Sequence, residues 1–197
     1  MRAAVLFLSF LCLSCQTVLK TAYGIKQPKV ETGRSIRKYL VKKKIDTSDV
    51  YVFKNYFAFA KASGKNILNV PDALFFNAAG NLVRYKKETV QCNAKVGDFI
   101  ADLENFSSLP EDTNMNMDEF LGMLEGQPID KKADVNVFIT WAVPAGRLNK
   151  TKAFEWIQLI EKARAKGINA KWHLVNCDFQ KNWNMPPQLL EQLGIED

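Results

Sequence analysis

Residues 138–150 read FITWAVPAGRLNK. The run begins four residues earlier, as DVNVFITWAV, and is apolar and β-branched enough to predict a buried strand. Pro144 and Gly146 break it into a loop. From Asn149 the stretch NKTKAFEWIQLIEKARAKG carries apolar residues at helical spacing and stops at Gly167, a helix-ending residue. A second strand-like run, NAKWHLVNCDF, follows. A strand, helix and strand of this length predict two parallel strands in one sheet. No cysteine occurs between residues 138 and 150.

Working outward, TGRSIRKYLVKKKID places Ile36, Leu40 and Val41 on a helix that Thr32 or Ser35 can cap. Lys42–Lys44 reads as its solvated end, where cations complement the helix dipole. DVYVFKN predicts a strand, and NYFAFAKASG a short helix ending at Gly64. NVPDALFFNAAGNLVRYKK predicts two strands joined at Gly80 as a hairpin. In NAKVGDFIADLENF, Val96, Phe99, Ile100 and Leu103 form one helical stripe. Residues 109–132 are polar, acidic and interrupted by Pro110, Gly126 and Pro128, the composition of a connector, with one short helix around Met117–Leu124. Its methionines read as gap fillers. The tail PPQLLEQLGIED predicts a last short helix opened by proline. Strands alternating with helices define an α/β fold with a central sheet flanked by helices.

The chain of 197 residues starts with one arginine and an uncharged run, Ala3–Leu13, too short to cross a bilayer and suited to the apolar core of an export signal. LCLSC resembles the lipobox of bacterial lipoproteins, with Cys12 standing where leucine is usual. That resemblance implies a signal peptide over residues 1–14, lipid on Cys15 and a tether over 15–22; ordinary cleavage near Ser14 is the alternative. Gln16 follows the cysteine, not the Asp that retains some lipoproteins in the inner membrane. The expected location is therefore the outer membrane or a periplasm-facing surface of a bacterium.

The net charge of +6 is uneven. Residues 16–108 hold 16 Lys/Arg against 8 Asp/Glu, and residues 109–134 hold 2 against 7. A basic exported surface suits anionic lipid or an acidic polymer, and an envelope protein is a further candidate partner. Nucleic acid is not an expected partner outside the cytoplasm.

Two pieces of the chain resemble thioredoxin-family proteins, including their lipoprotein relatives. Trp141, Ala142 and Gly146 match the family's W-A-x-W-C-G-P-C loop, but Ala145 and Leu148 occupy its two cysteine positions. NVPDALFFNAAGNLVRY resembles the strand opened by a cis-proline and the hairpin after it, with Pro71 as the candidate cis-proline. The order is unusual: residues 133–197 look like the first half of the fold, and residues 23–108 like helix, strand and helix followed by the second half. The resemblance implies a thioredoxin-like mixed sheet, permuted or composite, with both parts packed into one domain across the 109–132 connector.

Dithiol exchange needs an attacking thiolate and a resolving thiol, and alanine and leucine supply neither. Cys92 and Cys177 are the other candidate thiols, read either as a disulfide, as two buried thiols or as a redox centre. His173 is the single histidine and sits mid-strand, so no metal site or Ser/His/Asp triad is expected. No phosphate-loop motif occurs, and no cofactor is expected. The reading that emerges is a redox-inactive thioredoxin-like lipoprotein, a binding or assembly module of the cell envelope. The alternative is a thiol oxidoreductase or peroxidase using Cys92, with or without Cys177.

Overall fold

A computed structural model describes residues 21–85, 95–129 and 131–195. The signal stretch, Cys15 and Cys92 lie outside the described residues. In chain order the elements are α1 (Gly33–Lys42), β1 (Val50–Phe53), α2 (Tyr56–Gly64), β2 (Asp72–Asn77), β3 (Asn81–Val83), α3 (Val96–Ala101), β4 (Glu111–Asn116), α4 (Met117–Gly122), β5 (Leu124–Glu125), β6 (Val135–Trp141), α5 (Phe154–Ala165), β7 (Ala170–Asn176) and α6 (Pro187–Gln192).

All seven strands belong to one mixed sheet, in the order β4-β3-β2-β6-β7-β1-β5. The apolar run that decided the sequence reading is its centre, and every residue of β6 is buried. β6 and β7 pair in parallel from Val135↔Ala170 to Trp141↔Asn176, and β7 pairs in parallel with β1. On the other side β2 runs antiparallel to β6, from Asp72↔Thr140 to Asn77↔Val135, and turns at Gly80 into β3. The two halves of the chain thus share one sheet. A strand buried on both faces is mostly apolar on both, and the two polar residues of β6, Asn136 and Thr140, are themselves fully buried.

Alternate residues of β6 feed two cores. Val137, Ile139 and Trp141 pack with Ile36, Leu40, Ile100, Trp156 and Ile160 from α1, α3 and α5. Phe138 faces the other way, into Phe53, Phe76, Phe120 and Val175. Phe76 and Phe138 meet edge to face, as do Phe120 and Phe138. Helix α1 begins at Thr32, whose side chain accepts from the Ser35 amide while Ser35 returns the bond to the Thr32 amide. Ile36 and Leu40 are buried one turn apart, but Val41 is 65% exposed, because a residue five positions on points away from that stripe.

Residues 109–132 do more than connect. They contribute β4 at one edge of the sheet and β5 at the other, with α4 between them. Met115, Met117, Phe120, Met123 and Leu124 are all buried. The polar residues of this stretch lie on its outer side and pin the edge: Arg84 Nε donates to Asp112 at 2.8 Å, and Lys61 and Lys65 both reach Glu119. Charged edge strands of this kind discourage pairing with other chains.

Candidate functional site

In open α/β sheets the carboxyl ends of the parallel strands are the usual place for a site. Here β6 ends in the loop Ala142–Leu148, and β7 in Cys177–Gln180. A short 3-10 turn, Val143–Ala145, leads to Gly146 at φ +60°, and the chain then enters a π-helical turn, Asn149–Ala153, ahead of α5. Buried side chains fasten this loop. Both carboxylate oxygens of Asp178 accept the Val143 amide, at 2.9 and 3.2 Å. Asn149 Nδ2 donates to the Ala142 carbonyl at 2.7 Å and to the Tyr39 hydroxyl at 3.0 Å. Tyr39 stacks on Trp141 with the planes 17° apart.

Asp178 sits in a buried polar chain with Asn176 and Gln180. Asn176 Nδ2 donates to Asp178 at 2.6 Å, and Gln180 Nε2 donates to Asn176 Oδ1 at 3.0 Å. Burial raises the Asp178 carboxyl to about 6; the Val143 and Asn176 bonds oppose this, nearby Glu31 adds to it and Lys29 opposes it. Glu31 joins this floor through a parallel bridge to Gln180, its amide donating to Phe179 and its carbonyl accepting from Lys181. Sequence reading missed this network. Its trace is the alternation of Asn176, Asp178 and Gln180, polar residues at period two where a strand leaves the core.

The peptide bond Val70–Pro71 is cis, and Pro71 opens β2 next to the end of β6. Thr140 joins the two: its hydroxyl donates to the Asn69 carbonyl at 2.6 Å and accepts the Asp72 amide at 2.8 Å. Pro71 and the Ala145 loop, 74 positions apart in the chain, therefore lie at the same end of the sheet.

The loop is not open. Residues 21–27 cross it as a strap: the Lys26 amide donates to Pro144 O at 2.9 Å, Arg147 donates to Ala22 O at 3.3 Å and Gln27 donates to Gly194 O. Ala145 is buried, contrary to the exposed position expected at the start of a helix, and Leu148 is half-buried. Gly146 is required here twice over, by its positive φ and by the strap backbone against its Cα.

Cys177 is a free, buried thiol, and Cys92, its partner in the disulfide reading, lies outside the described residues. Burial, reinforced by Asp178, pushes its pKa far up, and its thiol donates to Val175 O at 3.7 Å. His173 is fully buried, stacked on Phe138, and burial holds it down at about 3, neutral at ordinary pH. Among the described residues no group of acidic, histidine or cysteine side chains is arranged to hold a metal ion, and no helix is long and apolar enough to cross a membrane. Comparison of the chain with known protein families, curated proteins and solved structures gives no match.

Proposed function

We propose that this protein is a redox-inactive, thioredoxin-like lipoprotein that serves as a binding or assembly module at the bacterial cell envelope. The observation that carries the reading is the strap. Where a thioredoxin would present its first cysteine, Ala145 is buried between Pro144 and Gly146, and the chain's own residues 22–26 lie on both neighbours. A loop that must admit a disulfide substrate cannot be roofed in this way; a loop that seats a strap needs the same strand, turn and glycine and no thiol. The order β3-β2-β6-β7, with β6 and β7 parallel and β2 opened by a cis-proline, supports the thioredoxin likeness.

With lipid on Cys15, the chain between Cys15 and Thr21 reaches at most roughly 20 Å. The strapped end of the sheet then faces the bilayer, and α4, beside the Gly80 turn at the far end, is left for partners.

Insulin-reduction assays test the redox half of the proposal. The protein should reduce insulin disulfides no faster than dithiothreitol alone; activity lost on Cys92→Ser would overturn it and favour the oxidoreductase reading. Mass spectrometry of membrane-extracted protein tests the anchor, expecting acyl mass on a peptide that begins at Cys15. An unlipidated N-terminus elsewhere refutes it.

A further inference from the structure

On the α1 side of the sheet a cleft of about 630 Å³ opens between the start of α1, the edge of β1 and the turn Lys181–Asn184. Glu31 lines it. The Glu31 side chain is only 5% exposed, and its partner among the described residues is a single cation, Lys29 Nζ, 3.8 Å away on a side chain that is 58% exposed. A carboxylate held by one such pair keeps acceptor capacity for further donors.

The rest of the cleft has the opposite character. The capping box uses the amides of Thr32 and Ser35 and leaves those of Gly33 and Arg34, at the positive end of α1, outside it. The Arg37 guanidinium turns back toward this end, with Nη2 3.9 Å from the place a Cβ on Gly33 would take. Lys181 lines the same cleft, and Ile36, Val50 and Val52 give it an apolar wall.

An anion alone would lie against the Glu31 carboxylate, and a cation alone would meet Arg37 and the helix terminus. We infer that this cleft binds a small zwitterion, an aliphatic amino acid or short peptide. Its ammonium group lies on Glu31, its carboxylate on the α1 terminus with Arg37 and Lys181, and its side chain against Ile36 and Val50. The volume suits a dipeptide. This site is independent of the thiol question and stands or falls separately from the redox reading.

The test is calorimetric titration of the full-length protein in detergent with alanyl-leucine, its N-acetyl derivative and its C-terminal amide. Saturable binding of the free dipeptide is expected, weakened about tenfold or more by blocking either terminus. Glu31→Gln should weaken the free dipeptide by a similar factor and leave the acetylated one nearly unchanged. Arg37→Ala, an exposed substitution that leaves the core intact, should abolish the preference for the free carboxylate over the amide. Absence of saturation up to about 10 mM dipeptide, a range that reaches beyond weak millimolar affinity, overturns the inference. So does equal affinity for the blocked forms, or unaltered binding by Arg37→Ala.

Discussion

Gly146 lies directly under Tyr23: a Cβ added to Gly146 would stand 2.5 Å from the Tyr23 carbonyl oxygen and would also overlap Gly24. This pairs a glycine of the emptied loop with a residue of the strap 123 positions away. No side chain of residue 146 can coexist with the seated strap.

Gly146→Ala is therefore expected to release residues 21–27. Left-handed backbone strain for alanine costs about 1–3 kcal/mol, and lifting the strap relieves the overlap but not the strain. Limited proteolysis should cut the variant within the strap much faster than the parent, while the sheet core stays protected. Equal cleavage rates would show that the strap is not held at Gly146.

Asp178 gives the strapped end a pH dependence. Its carboxyl rises from 3.8 to about 6 in the folded state, chiefly through burial. The native state therefore keeps a proton that the unfolded chain has already lost, and this contribution is full below pH 4 and gone above about 6. Asp178→Asn removes the titration and keeps an acceptor for the Val143 amide. Urea unfolding should show the variant gaining on the parent from pH 4 to pH 7, by on the order of 2 kcal/mol. His173, held at about 3, works the other way, contributing fully above pH 6.5 and less as the pH falls. The difference between variant and parent isolates Asp178; a difference independent of pH would refute its assigned titration.

Phe120 tests whether residues 109–132 are a linker or part of the core. The ring is fully buried, stacks on Phe76 and meets Phe53 and Phe138 edge to face. Phe120→Ala should cost about 3–5 kcal/mol and lower one cooperative unfolding transition. A change within about 0.5 kcal/mol, the range of ordinary surface substitutions, would return this stretch to the status of a connector.

The parts of this architecture that can be read in the sequence are those that bury apolar side chains with a period. The largely apolar run of β6, the stripe of α5 and the Gly80 hairpin follow from local pattern. β4 does not, because an edge strand buries little: of Glu111–Asn116 only Met115 is buried, so the stretch carries the composition of a loop. The strap left no trace for a different reason. It is held largely through the backbone of Ala22, Lys26 and Pro144, with side-chain bonds from Arg147 and Gln27, and nothing in TAYGIKQ marks this pairing. Cys177 looked chemically promising in sequence because exposure cannot be read from one residue; its position past the end of β7, under Asp178, decides its inertness.

Two thiols can be built into the loop. Ala145→Cys with Leu148→Cys places two thiols at the spacing of a dithiol site, with the second at the entry to the helical segment that starts at Asn149. Amides and the dipole at such a helix start favour a thiolate. Position 145 is roofed by the strap, however, so the double variant alone should fold with a thermal midpoint near that of the parent and reduce insulin slowly. Adding Gly146→Ala, which lifts residues 21–27, should raise the rate well above that of the double variant. If the double variant is already as fast as the triple one, the strap does not guard the loop. If neither reduces insulin while both thiols titrate as accessible, the thiols are too poorly placed for exchange, and the likeness of this loop to a thioredoxin site ends at the backbone.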